Sequence, residues 1–355
     1  MQAVILAAGR GSRLLPLTHT KPKPLIPFMN EAVIDRIFQR LLQLGVEKFL
    51  VLVDYRKERL IQHLEKWRGK AEVEIRDNNI PFGTAGAVKR NQEILENLFL
   101  VTSSDLITDI NLHGLLDFHF EKGSKLTVAF SESSEVSHYG IATIDHNGKL
   151  TRFVEKPRES EAFSNIVNAG IYVVEKEVLD FVPDNMEFDF SRHLFPLLVE
   201  RNCPIFGYRF KEYWNDIGRH SSYLFATKDA VERRVSFNSE LRVRRDERGV
   251  LFYPETAQLG DVVVEGFLVV GENVVIGDGC RLSNTVIWEC GKIKENTTIS
   301  EAIIAENVEI GKNCKVMPGV VIGAGSRIGD NCVLGQNLKL WCGTCVQPGT
   351  FLVGE

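Results

Sequence analysis

Short, unbroken apolar runs alternate with longer segments of helical period over the first two thirds of the chain. Residues 3–7 (AVILA), 49–53 (FLVLV) and 98–102 (LFLVT) are apolar or β-branched throughout. That pattern predicts strands buried on both faces rather than strands with one wet face. Between them, residues 32–44 carry Val33, Ile34, Ile37, Phe38, Leu41 and Leu42 at helical spacing, and residues 58–67 form a second helical stretch. Buried strands alternating with helices predict an α/β fold whose sheet is mixed, mostly parallel and covered on both faces. Residues 126–130 and 170–174 extend that sheet, and a helical tail over residues 221–234 closes the domain.

Beyond this tail the period changes. Residues 242–248 (RVRRDER) carry charge without apolar periodicity and read as a linker or surface loop. Aliphatic residues then recur six apart at Val264, Val270, Ile276 and Leu282, and again at Ile310, Val316, Ile322, Ile328 and Leu334. Leu282, Ile293, Ile299 and Ile310 keep the phase through two eleven-residue intervals, each one six plus one five. Gly follows the aliphatic residue at Gly271, Gly277, Gly311, Gly323, Gly329 and Gly335, which a helix would not tolerate at roughly 1 kcal/mol each. A six-residue period in three-sided coils predicts a parallel β-helix. The expected division is a front domain over residues 1–235, a linker over 236–258 and a β-helix over 259–355.

Composition narrows the setting. A formal net charge of −5 argues against a general nucleic-acid or anionic-membrane surface, so any phosphate must be held by a local site. No run approaches the roughly 18 apolar residues of a membrane helix, and the N-terminal apolar run is too short for a signal-peptide core. The expected compartment is the cytoplasm, with the seven cysteines mostly reduced. Cys280, Cys314 and Cys332 share the phase of Val274, Thr297, Val320 and Ser326, four residues after an aliphatic anchor or its equivalent, and read as packing residues. Cys342 and Cys345 have CxxC spacing without a second pair, which favours a structural role over zinc.

Candidate chemistry concentrates in LAAGRGSRLLPLTHTKPKPLIP at the end of the first strand. Gly9 and Gly11 let the backbone approach an anion with its amides free to donate. Arg13 and Lys23 add two positive charges on a segment stiffened by Pro16, Pro22, Pro24 and Pro27. A dinucleotide fingerprint would need a third Gly and an acid about 20 positions on, where Lys21 and Lys23 stand instead; a Walker loop is absent. Asp105 follows a buried strand, where ligands collect in open α/β sheets. Taken singly, Asp105 reads as a helix cap and Asp216 as a turn residue before Gly218.

From Gly9 to Pro27 the run matches the pattern GxG[ST]RLxPLTxxxPKPxxP, and so resembles the nucleotide-sugar pyrophosphorylases. GTAGA at 83–87, Asp105, YGIATID at 139–145, FVEKP at 153–157, NAGIY at 168–172 and WNDIG at 214–218 follow in that family's order. The six-residue repeats are similar to the left-handed β-helix of many members, and the mannose-1-phosphate guanylyltransferase-like branch is the nearest. The resemblance implies a Rossmann-like nucleotidyltransferase domain followed by a left-handed parallel β-helix. It implies transfer of a nucleotidyl group from an NTP to a sugar-1-phosphate, with GTP and mannose-1-phosphate as the favoured pair. Arg13, Lys23, Asp105 and Asp216 would be catalytic, the two aspartates holding Mg²⁺. Leu6, Ala7, Ala8, Gly9, Gly11, Ser12, Arg13, Lys23, Gly83, Thr84 and Gly86 would meet the nucleotide. Tyr139, Gly140, Glu155, Lys156 and Asn168 would meet the sugar phosphate.

Three departures bear on specificity. SSD stands where the family usually has N-[GS]-D, Arg219-His220 replaces the pair after WNDIG, and RDNNIPF lacks the acid often found before GTAG. A glucose-1-phosphate thymidylyl- or uridylyltransferase and a heptose-1-phosphate enzyme therefore stay open, as does a catalytically silent regulatory subunit. An acyltransferase role for the β-helix is disfavoured, because all eight histidines lie at or before His220. The β-helix reads instead as an interface for a homo-oligomer or as a regulatory module.

Overall fold

The apolar runs of the front half are strands, as their two-faced burial requires. In the computed structural model, which describes residues 1–54, 57–77, 82–237 and 240–354, nine of them form one sheet. They are β1 (Gln2–Ala7), β2 (Lys48–Val53), β3 (Glu72–Asp77), β4 (Leu98–Ser103), β5 (Leu126–Glu132), β6 (Gly140–Ile144), β7 (Leu150–Glu155), β8 (Ile166–Glu175) and β9 (Ile205–Arg209). The order is β7-β6-β8-β4-β1-β2-β3, with β5 pairing β8 and β9 pairing β5. The β1–β2, β1–β4, β2–β3 and β5–β9 pairs are parallel, and β8 runs antiparallel to β4 and β5. Helices α1 (Val33–Gln43), α2 (Lys57–Leu64), α3 (Gly83–Lys89), α4 (Leu112–Glu121), α5 (Phe195–Glu200) and α6 (His220–Val231) complete the α/β pattern. Val4, Leu50, Leu52, Phe99 and Val101 are essentially solvent-free, each stabilising the fold by about 1.5–3 kcal/mol through burial.

The described chain forms two compact units. The first joins residues 1–9 to residues 37–214; the second joins residues 10–36 to residues 215 onward.

The second unit contains the repeats. Successive coils pair in parallel at steps of 17 residues early on, as in Val275 with Lys292, and of 18 later, as in Val321 with Lys339. Each coil therefore takes three hexads, the 17-residue coils having lost one position. The anchors Val264, Val270, Ile276, Leu282, Ile293, Ile299, Ile310, Val316, Ile322, Ile328 and Leu334 are all buried in one core. The cysteines behave as packing residues: Cys280, Cys314 and Cys332 are buried and donate to the carbonyls of Lys294, Gly329 and Gln347 in the next coil at 3.1–3.2 Å. Thr297 and Ser326, in the same slot, make the same bond to Gly311 and Trp341. Residues 242–248, expected as a loop, differ: Arg242–Arg245 is a fully exposed strand antiparallel to Gly249–Tyr253. Backbone pairing and polar side-chain bonds, Arg244 to the Val262 carbonyl and Arg242 to Glu255, hold this edge, so no apolar face marks it in the sequence.

Candidate active site

In the first unit, β1 and β4 run parallel with Leu6 opposite Ser103, and the Ser104 amide donates to the Leu6 carbonyl at 3.2 Å. Residues 7–9 and 104–105 therefore leave the sheet at one carboxyl edge. From β1 the chain moves to β2 and β3 on one side and returns to β4 on the other, a reversal that opens a crevice for ligands. Leu6 and Ala8 are half-buried, Ala7 is buried, and a side chain on Gly9 would touch nothing within 4 Å, so its backbone lies open. Asp105 is half-buried in the turn after β4.

A second group in this unit surrounds the ends of β6, β7 and β8. A Cβ on Gly140 would run into the Phe153 ring and stand 2.7 Å from a Glu155 carboxylate oxygen, so Gly is what lets both side chains sit there. Lys156 has φ +48°, a left-handed conformation that costs a non-glycine residue about 1–2 kcal/mol and that Pro157 further disfavours. The amide of Lys156 donates to the Tyr139 carbonyl at 3.0 Å, and its ammonium lies 3.4 Å from Glu155. At 49% exposure this ion pair is worth about 0–1 kcal/mol, so the ammonium is readily given up to a stronger anion. The Asn168 side chain accepts from the Gly170 amide and donates to the Tyr172 hydroxyl, whose pKa burial pushes up. Gly170 is left-handed beside Ser103, and Trp214 packs edge-on against Tyr139 while its indole N–H donates to the Ala169 carbonyl at 3.0 Å. Trp214, Ser103 and Gly170 were not selected from the sequence, although the WNDIG and NAGIY motifs contain two of them.

The GTAG segment has a more structural character. Gly83 and Gly86 leave no room for a Cβ against Phe188 and Met186 carbonyl oxygens at 2.7 and 2.8 Å. The Thr84 amide and hydroxyl meet Asp189 at 2.9 and 3.2 Å, and the Gly86 amide donates to Phe188. These amides are engaged within the protein, and Asp189 stands at the positive end of α3. Residues 78–81 of the RDNNIPF departure lie outside the described residues.

The second unit brings Arg13, Lys23 and Asp216 together. The Lys23 ammonium lies 3.4 Å from Asp216, the two side chains being 11% and 21% exposed. A Cβ on Gly218 would stand 3.0 Å from the other Asp216 oxygen and 3.3 Å from an Arg13 guanidinium nitrogen. Gly11 holds φ +63°, its carbonyl accepting from the Leu14 amide and the Thr18 hydroxyl at 2.9 Å each, which folds Ser12 and Arg13 back on the loop. His220, in the unusual Arg219-His220 pair, bonds the Leu14 carbonyl through Nε2 at 3.1 Å. Two cations and one carboxylate on a glycine-turned loop leave the cluster net positive, suited to a polyphosphate.

Among the described residues no three His, Cys, Asp or Glu side chains group as a metal cage, Cys342 and Cys345 included. A cation held by single carboxylates would complete its shell with phosphate oxygens and water, which suits magnesium. No helix among them is long and apolar enough to cross a membrane.

Residues 2–233 match the nucleotidyl transferase family model, and residues 249–340 match the GMPPB C-terminal domain. The chain is 30% identical to a UTP–glucose-1-phosphate uridylyltransferase of Synechocystis sp., covering 91% of this chain and 87% of that protein. It is 30% identical to a mannose-1-phosphate guanylyltransferase catalytic subunit beta of Dictyostelium discoideum and 32% identical to a mannose-1-phosphate guanyltransferase of Emericella nidulans, with 93% of both chains covered in each case. With a family model spanning most of the chain and the Arg13–Lys23–Asp216 cluster in place, this protein belongs to the nucleotidyl transferase family.

Proposed function

We propose that the protein transfers a nucleotidyl group from an NTP to a sugar-1-phosphate and releases pyrophosphate, with GTP and mannose-1-phosphate as the preferred pair. The observation that carries this reading is the meeting of Arg13 and Lys23 at Asp216 on the loop that begins with Gly9 and Gly11. The two mannose-1-phosphate relatives support the substrates.

An ionised oxygen of the sugar-1-phosphate attacks the α-phosphorus in line; the bond from that phosphorus to the bridging oxygen breaks, and pyrophosphate leaves with the electron pair. No general base is needed, because the attacking oxygen carries no proton. Like charges about 4 Å apart repel by roughly 4 kcal/mol at an effective dielectric near 20, and Arg13 and Lys23 offset this. The backbone of Leu6, Ala7, Ala8, Gly9, Gly11 and Ser12 receives the nucleotide, with Gly83, Thr84 and Gly86 shaping its surroundings. Lys156 holds the sugar phosphate, while Tyr139, Gly140, Glu155 and Asn168 face the sugar. Asp105 and Asp216 are the carboxylates that would hold a divalent cation, magnesium on this reading, and the cation would supply charge neutralisation. The seven free thiols favour a cytoplasmic setting, and exposed Phe351 and Val353 on the β-helix favour a homo-oligomer.

A pyrophosphate-release matrix of five NTPs against a panel of sugar-1-phosphates tests the assignment. Asp105→Asn and Lys23→Ala should each lower kcat by roughly a hundredfold or more with unchanged circular dichroism. Near-normal turnover by either defeats the reading. Strongest release with UTP and glucose-1-phosphate would favour the second reading, which the Synechocystis relative supports. No release from any pair, by folded protein, would point to a regulatory subunit.

A further inference from the structure

The loop that carries Arg13 and Lys23 lies within the same unit as the β-helix. Val270, Ile287, Ile304, Ile322 and Leu340 are register partners in five successive coils. Val270 itself, and residues just after Ile287, Ile304 and Leu340, meet the loop. Asn30, itself left-handed at φ +66°, donates its side-chain amide to the Val270 carbonyl at 2.9 Å. Lys21 bonds Glu289 at 2.6 Å and lies 5.1 Å from the Trp288 ring. The Thr20 hydroxyl donates to Glu306 at 3.0 Å. His19 stacks edge-on against Trp341 at 5.5 Å, and the Cys342 thiol reaches the Pro16 carbonyl at 3.5 Å. From α6, the buried Tyr223 hydroxyl accepts from the Trp288 indole at 3.0 Å and donates to the Pro27 carbonyl at 2.7 Å.

We infer that this column of the β-helix, Glu289 and Glu306 foremost, consists of positioning residues that set the loop for nucleotidyl transfer. In the contacts above each meets the loop through residues other than Arg13 and Lys23. Their register fixes where residues 16–30 run, and Lys23 sits two positions from the Lys21–Glu289 bond. The catalytic loop is therefore seated on the repeat domain itself. The β-helix thus has a task beyond offering a surface for assembly. This rests on the function proposed above, and the test separates the two.

In the full-length protein, Glu289→Gln and the double variant E289Q/E306Q keep side-chain shape while removing charge. Hydrogen exchange of the 16–30 backbone should accelerate, and kcat/KM for the NTP should fall roughly ten- to a hundredfold, with KM for the sugar-1-phosphate unmoved. The charge exchange K21E/E289K should recover kcat/KM to within a few-fold of the parent, which a merely destabilised protein would not do. Unchanged exchange in both glutamine variants overturns the brace. Faster exchange with unchanged kcat/KM overturns the positioning role. A parent inactive with every substrate pair refutes the proposed function and with it the positioning role, while the exchange data still decide the brace.

Discussion

At Gly218 a single methyl group would stand between the Asp216 carboxylate and the Arg13 guanidinium, 3.0 and 3.3 Å from each. Its φ lies outside the left-handed region, so the demand for glycine comes from those neighbours. Gly218→Ala should therefore lower kcat/KM roughly tenfold or more while the melting temperature stays within a few degrees, checked by steady-state kinetics beside a thermal melt. Wild-type kinetics in that variant would mean that Arg13 and Asp216 are not held as a pair. Lys156 carries the complementary lesson. Its motif marks it in the sequence, but its left-handed backbone does not show there, because a strained φ is imposed by the surrounding β6 and β7 ends. Trp214 and Asp189 were illegible for a similar reason: each acts through a contact with residues tens of positions away.

Single elements were legible where one face is buried. The hexad anchors announce themselves because every one points into a common core, and the glycines after them because the next coil leaves no space: the Glu289 amide nitrogen would be 2.6 Å from a Cβ on Gly271. A second six-residue signal went unread. Asn273, Gly279, Asn296, Asn307, Asn313, Gly319, Gly325, Asn331 and Asn337 all turn corners at positive φ, and Asn is the non-glycine residue best suited to that conformation. Asn307, exposed at φ +58°, allows a clean test. Asn307→Gly should leave the denaturation midpoint nearly unmoved, whereas Asn307→Ala should cost about 1 kcal/mol or more in urea unfolding. Equal stability of the two would remove the conformational explanation. The exposed Arg242–Arg245 strand gave no such signal, having no face that excludes water.

Acid stability belongs to the whole molecule, because each unit hides one histidine. The pKa of His119 is lowered to about 4 by burial, with the Lys125 charge adding to it. His220 is likewise lowered to about 4 by burial, against the opposing hydrogen bond to Leu14. Unfolded, both would titrate near 6.5, so between about pH 6.5 and 4 the unfolded chain binds more protons. Stability is intact above that window and falls on acidification through it, by on the order of 3 kcal/mol per histidine once complete. Urea midpoints should fall from pH 7.5 to pH 4.5, less so in a variant with both histidines replaced by Asn; a flat parent profile would contradict this. The grouping of residues 10–36 with the repeats was invisible in the sequence. Periodicity reports which face is covered, and cannot name the covering surface.

That grouping has a consequence for how the chain is made. Residues 10–36 leave the ribosome early, yet Trp288, Glu306 and Trp341, which seat them, are translated some 250–320 residues later. At about 5–20 residues per second the segment waits on the order of 15–60 s for its support. Throughout that interval Lys21, Thr20 and His19 lack the Glu289, Glu306 and Trp341 partners that seat them in the finished protein.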